Sequence, residues 1–308
     1  MKYSRVLAAV GSEPWAIYGP KMQEILDVLS FRASGGVFSA DEIRARIGGG
    51  GAPALERRTG SVAVLPLRGV IAGRIGSMEE SSGGVSCEAV GRMSQTAMAD
   101  PSIGAVVFDI DSPGGMTAGL RELSDLIYGA RGQKPIIAHG NALVASAAYW
   151  VACNCDELVS APSGRWGSVG VFAVHQEISK MLEDSGIATS VISAGKYKTE
   201  LLPYAPLSDE ARAFMQARVD ADYALFVETI ARGRGVSAAA VRDGFGEGRV
   251  LDAEQSLSSG MIDRIETLDG TIARLLGGGA PGAMSGALAG TRADAGSDLE
   301  LRLRAAQL

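Results

Sequence analysis

Ser146 is the single serine in the run Ala142-Leu-Val-Ala-Ser-Ala-Ala-Tyr-Trp-Val-Ala152. A serine in dry surroundings, followed by the small residues Ala147 and Ala148, is suited to attack a carbonyl if a base can take its proton. A serine that precedes an apolar helix is more often only its N-cap. The base is the harder question, because the chain has just two histidines, His139 and His175. His139 lies on the strand leading into Ser146 and is awkwardly placed. His175 follows a later strand and is a genuine candidate. Lys198, in Ser193-Ala-Gly-Lys-Tyr-Lys-Thr199, is the other, although most lysines are solvated surface groups. On the residues alone, His175 and Lys198 both stay open.

A serine nucleophile also needs donors for the oxyanion. Asp111-Ser112-Pro113-Gly114-Gly115 reads as a strand end opening into a helix, with two glycines whose amides no side chain screens. Gly114 or Gly115, with the amide of Ala147, could form such a hole. The ordinary reading of the stretch is a strand-to-helix turn. A phosphate loop is disfavoured because its Lys-Ser/Thr is missing.

These residues need a scaffold. Apolar runs at 62–67, 103–111, 135–139, 157–160, 169–172 and 188–192 read as strands. Helical spacing falls between them, at about 86–99 and 117–129, which implies parallel βαβ units. A Gly-Asn turn is expected at 140–141. Ser208 caps a long helix from 209 to 232, with Phe214, Val219, Tyr223, Phe226, Val227 and Ile230 as its inner face. Residues 1–60 form a preamble with a helix over 21–32, residues 61–267 the main domain, and 268–308 a tail that turns low-complexity from Gly277.

Composition narrows the classes. The formal charge of −6, with both signs spread along 308 residues, argues against a nucleic-acid surface. Glycine, at 41 residues, is about 13% against the usual ~7% and favours tight turns over a helical bundle. Cys87, Cys153 and Cys155 are an odd count and read as buried thiols in a reducing compartment. No export signal or membrane anchor is read, because residues 135–153, the best apolar run, contain His139, Gly140, Asn141 and Ser146.

Four motifs in order, Asp111-Ser-Pro-Gly-Gly115, Ala145-Ser-Ala-Ala-Tyr-Trp150, Gly167-Ser-Val-Gly-Val171 and Gly195-Lys-Tyr-Lys-Thr199, together resemble peptidase family S49. The resemblance covers about residues 60–267 and includes Gly248-Arg-Val-Leu-Asp-Ala-Glu-Gln-Ser-Leu-Ser-Ser-Gly-Met-Ile-Asp263, which is similar to the family's closing strand–helix–strand. It implies an α/β, Clp protease/crotonase-like fold of repeated β-β-α units. It also implies Ser146 as nucleophile, Lys198 as general base and Ser168 as the hydroxyl that orients the lysine. Gly114, Gly115 and Ala147 are then the oxyanion donors, with His175 the alternative base. The family often has Gly-Gly after the nucleophile, where this chain has Ala147-Ala148; the amide donor survives that change. The resemblance implies no metal, no cofactor and a homo-oligomer.

The preamble, with Pro14-Trp15-Ala16 before a helix, and Val174-His-Gln-Glu-Ile-Ser-Lys180 are similar to the phage and prophage head-maturation branch. The expectation is a protease of scaffold, portal or capsid proteins, in the bacterial host cytoplasm or within a procapsid, with a tail that could be self-cleaved near residues 282–290. A cytoplasmic signal-peptide-peptidase-like enzyme that digests peptides is the alternative. A crotonase-like acyl-CoA enzyme and an inactive scaffold protein are alternatives of another class. A lysine at its ordinary pKa of ~10.4 is neutral in only about one molecule in 2,500 at pH 7. A lysine base therefore asks for surroundings that disfavour its charge, and the apolar run around Ser146 offers them.

Overall fold

The computed structural model describes residues 10, 13–33, 36–37, 39, 57–73 and 84–279. The strands are β1 (Trp15–Ile17), β2 (Arg57–Thr59), β3 (Val62–Arg68), β4 (Ile71–Ala72), β5 (Val85–Ser86), β6 (Ala105–Ser112), β7 (Gly114–Met116), β8 (Ile136–Ala145), β9 (Glu157–Ser160), β10 (Arg165–Gly167), β11 (Val250–Asp252) and β12 (Arg264–Ile265). The helices are α1 (Gly19–Ala33), α2 (Cys87–Ala99), α3 (Leu120–Ala130), α4 (Ala147–Ala152), α5 (Ser179–Asp184), α6 (Asp209–Arg234), α7 (Ala238–Gly244), α8 (Ala253–Ser258) and α9 (Leu268–Leu276).

The main sheet runs β11-β10-β8-β6-β3-β2, with β9 also on β8 and β12 on β9. β3, β6, β8, β9, β10 and β12 join one another in parallel pairs. A second, four-stranded sheet has the order β1-β7-β4-β5. The architecture is thus α/β with parallel strands and intervening helices.

Alternation along the strands explains why both faces of the main sheet are covered. Leu65 and Leu67 of β3, with Phe108 and Ile110 of β6, face the main core, which also holds α4 and Phe226 of α6. Val62, Val64 and Val107 face the other way, against Ile137, Val159 and Ile272 of α9. Each such side chain contributes ~1.5–3 kcal/mol by leaving water. Strands buried on both faces read as unbroken apolar runs, which is why these were visible in the sequence. α9 closes the second cluster, so packing continues past residue 267, where the sequence reading begins the tail. The low-complexity residues from 280 onward, and the proposed cleavage region at 282–290, lie outside the described residues.

Five local expectations are corrected. The chain does not turn at Gly140-Asn141; β8 continues to Ala145 because its first half pairs with β9 and its second half with β10. No helix opens at Gly114. Gly114 and Gly115 lie in β7, and the helix waits until Leu120, behind Gly119 at φ +86°. Residues 169–172 make only an isolated bridge, Phe172 with Trp15. Residues 188–192 form no strand, since no ladder partner reaches them. On α6, Phe226, Val227 and Ile230 are buried, but Phe214 is 51% exposed, and the first half of the helix turns Ala211 and Met215 inward instead.

Candidate active site

β6, β8 and β10 end side by side, and their ends carry the candidate residues. Ser112 of β6 is paired with Val144 of β8, and Ala145 of β8 with Gly167 of β10. Ser146 and Ser168 are the next residues after the Ala145–Gly167 pair.

Ser146 sits at the junction of β8 and α4 with φ 55° and ψ −116°. Only three described non-glycine residues have positive φ, and Ser146 and Ser168 are two of them. Such a backbone costs on the order of 1–3 kcal/mol and persists only where neighbours over-determine it. Here the Ser146 N–H donates to the Gly167 carbonyl at 2.8 Å, and the Ser168 N–H donates to the Arg249 carbonyl at 2.7 Å. Ser146 precedes α4 but its side chain makes no cap bond. Its Oγ instead donates to the Gly170 carbonyl at 3.3 Å. A serine held by strain at a strand-to-helix turn, and not spent on capping, is the geometry that presents a nucleophile. α4 is anchored by the stack of Trp150 on Phe226, 4.5 Å between centroids and 7° between planes, and by the Tyr149 hydroxyl donating to the Met261 carbonyl at 2.9 Å. Ser146 itself is fully buried.

The two glycines approach this turn closely. Gly114 has φ +94°, and a Cβ there would stand 2.9 Å from both the Ala145 carbonyl oxygen and the Ala147 nitrogen. Gly115 passes so near β4 that a Cβ would collide with the Ile71 backbone. The structure therefore brings Gly114 beside Ala147, as the sequence expects, though through a strand and not a helix terminus. The Gly114 N–H donates to Ser112 Oγ at 3.2 Å, and Ser112 Oγ in turn donates to the Gly69 carbonyl at 2.6 Å.

The candidate bases are elsewhere. His139 is buried on β8, with Nε2 3.0 Å from the Glu266 carbonyl oxygen. Burial holds its pKa below the ordinary value, against the opposing pull of that carbonyl and of Asp109. His175 is half-buried, with Nε2 3.3 Å from the Leu202 carbonyl oxygen, and makes no bond to Ser146. Lys198 is exposed, and among the described residues its amine has neither a hydrogen-bond nor an ion-pair partner. Its neighbour Lys196 bonds to the Tyr197 hydroxyl at 2.7 Å and to Glu210 at 3.1 Å, and these bonds hold it in the charged form. Every residue from 183 to 198 is exposed, including Ile192 at 98%. Burial pushes the thiols of Cys87 and Cys153 up to about 12, so neither offers a thiolate at neutral pH. Among the described residues no cluster of His, Cys, Asp and Glu could hold a metal, and no helix is long and apolar enough to cross a membrane.

Sequence reasoning missed one element at the site. β1 lies against Gly114 and Gly115, yet Trp15-Ala16-Ile17 gives only three β-compatible residues as a signal.

Comparison with known proteins places this geometry in context. Residues 130–277 match the family model for peptidase family S49. The head–tail preconnector protein GP5 of Enterobacteria phage P21 is 33% identical over 267 residues, covering 85% of this chain and 51% of that protein. The capsid assembly protease C of Escherichia phage lambda is 29% identical over 228 residues, covering 70% of this chain and 52% of that protein. The chain spans about half the length of these relatives. Among solved structures, a ClpP1 variant of Listeria monocytogenes is similar at 15% identity and a TM-score of 0.41, covering 67% of this chain and 93% of that one.

Proposed function

The chain belongs, through residues 130–277, to peptidase family S49, and from that premise we propose that it is a serine endopeptidase working with a Ser146–Lys198 dyad. Ser146 Oγ attacks the scissile carbonyl while Lys198 takes its proton. The Ala147 amide and the backbone at Gly114 and Gly115 receive the oxyanion. Lys198 then returns the proton to the leaving amine, and water hydrolyses the acyl-enzyme. Ser168, strained beside Ser146, orients the lysine amine.

The observation that carries this reading is the strained, uncapped Ser146 with Gly114 packed against the next amide. The exposed segment 183–198 adds a condition. Lys198 needs dry surroundings to act as a base, and the single chain gives it none. The apolar residues Ile187, Val191 and Ile192 on the same segment are suited to burial against a second copy of the chain, which would carry Lys198 into a site it completes. The phage relatives support a role in head maturation, with scaffold, portal or capsid proteins as substrates.

A fluorophosphonate probe tests the nucleophile: labelling should map to Ser146 and vanish in Ser146→Ala. Lys198→Ala and Lys198→Arg should both stop peptide cleavage, since a guanidinium does not deprotonate near neutrality, while Lys196→Ala should be tolerated. Near-normal cleavage by Lys198→Ala together with loss in His175→Ala would move the base to His175. Absence of labelling in the assembled wild-type protein would remove the serine mechanism altogether.

A further inference from the structure

A nucleophile that is fully buried cannot meet a polypeptide, so something must move before chemistry. β1 is the strand laid between the two backbone edges beside the serine. On one side, Ala16 and Ile17 stand opposite Gly115 and Gly114 in antiparallel register, and the Tyr18 N–H donates to the Pro113 carbonyl at 2.7 Å. On the other side, Trp15 and Phe172 exchange both backbone hydrogen bonds, at 2.8 and 3.0 Å. Phe172 is two residues beyond Gly170, the acceptor of the Ser146 hydroxyl. A Cβ on Gly114 would collide with the Ala16 carbonyl oxygen, on the same glycine that borders the Ala147 amide. A β1 carbonyl thus borders the same glycine as the Ala147 amide, the proposed oxyanion donor.

Without β1, the edge of β7 and the backbone at Phe172 would face each other across a gap one strand wide. Both edges would offer unpaired N–H and C=O groups. Such a slot recognises an extended peptide of almost any sequence through its backbone, by strand addition. The hold on β1 is also local. Apart from Ala16, its side chains pack in a small cluster of Val10, Trp15, Ile17, Met22 and Leu26, beside Val70, Met116, Phe172 and Val174. That cluster is separate from the main core. The residues before β1 are tethered by the ion pair of Glu13 with Arg218, 2.8 Å, at a half-exposed position, and by Thr117 Oγ1 donating to the Pro14 carbonyl at 3.5 Å.

We infer that Trp15–Ile17 occupies, antiparallel to Gly114–Met116, the slot that holds an extended substrate peptide, so that the chain blocks its own site until residues 13–18 swing out. This rests on the peptidase reading for its chemistry, but the slot itself is a peptide-binding site whether or not Ser146 reacts.

The test is a reversible lock. Trp15 and Phe172 are a hydrogen-bonded antiparallel pair, whose Cα atoms lie ~5.5 Å apart in such ladders, within disulfide range. A chain carrying Trp15→Cys and Phe172→Cys is assayed oxidised and reduced. One readout is the rate of fluorophosphonate labelling; the other is fluorescence polarisation of a fluorescein-labelled, extended synthetic peptide, measured with Ser146→Ala added. The disulfide should slow labelling by at least an order of magnitude and abolish saturable peptide binding, and reductant should restore both. Equal labelling and equal binding in the two forms would overturn the proposal while leaving the peptidase reading intact. If no form is labelled, the peptidase reading fails, and peptide binding alone decides: sensitivity to the disulfide sustains the slot, and indifference overturns it. Should the double variant not fold, Ala16→Pro, which removes a β1 N–H, replaces it. Faster labelling or tighter peptide binding than wild type supports the inference, and unchanged values refute it.

Discussion

Gly114→Ala tests the contact on which the proposed oxyanion site depends. The glycine has φ +94°, and an L-residue held in such a region costs on the order of 1–3 kcal/mol. The added Cβ would stand 2.9 Å from the Ala145 oxygen and 2.9 Å from the Ala147 nitrogen, and would collide with the Ala16 oxygen. These are backbone atoms of β8, the Ser146 turn and β1, so none can swing aside as a side chain would. Overpacking of this kind adds ~1–3 kcal/mol. Together the two effects predict a loss of roughly 2–6 kcal/mol of stability. Relief requires β7 to draw away from Ala147, which should lower peptide cleavage by about 10²-fold, the usual effect of displacing one oxyanion donor.

Gly129→Ala is the matched control. Gly129 lies in α3 with nothing within 4 Å of a new Cβ. There the same substitution should stabilise by ~0.5–1 kcal/mol, because alanine loses less backbone freedom in a helix. Urea unfolding gives the stabilities, and kcat/KM on a fluorogenic peptide gives the activity. If Gly114→Ala keeps the wild-type midpoint and the wild-type rate, the close approach is not used. If it loses stability but the folded fraction cleaves at full rate, Gly114 is structural and the oxyanion donors lie elsewhere.

Other predictions follow from single residues. Ile192→Asp should leave the stability of the dissociated chain unchanged, since Ile192 is 98% exposed, but sedimentation should show weaker self-association and assays less cleavage; unaltered assembly would refute the two-copy site. His139 is held neutral by burial, with Asp109 and the Glu266 carbonyl facing it. Its folded pKa is lowered, so its contribution is complete above the unfolded value of ~6.5 and is lost as pH falls through the folded value. Urea midpoints should therefore decline on acidification more steeply for wild type than for His139→Gln, and parallel curves would exclude His139 as the cause. Arg234 of α6 is buried and forks onto Asp263 at 2.6 and 2.8 Å; Arg234→Met should cost about 3 kcal/mol by leaving a carboxylate short of its partner, whereas a loss below the precision of the urea titration would show that water replaces the guanidinium.

What the sequence made legible follows from where each residue's partners lie. β3, β6 and β9 were readable because they are buried on both faces, and burial of that kind leaves a continuous apolar run. β7 was not, because Gly114-Gly115-Met116 has no intrinsic preference for a strand; β1 and β4 make it one from either side. β1 was invisible for the same reason, its ladder partners lying about a hundred residues and more down the chain. Ser146 stands out in the sequence as a candidate by its residue type and neighbours, and the local pattern also predicted the strand-to-helix junction on which the structure places it. The base was not legible from spacing at all, since neither His175 nor Lys198 is bonded to Ser146. Residues 188–192 read as a strand because Val191 and Ile192 are β-branched, and in the single chain they find no ladder. Hydrophobic patterning is set by the surroundings in which a chain works, not by those of one isolated copy. Under the proposed function, one contact with a second copy of the chain would bury the exposed apolar segment at 187–192 and supply the base that Ser146 lacks in the single chain.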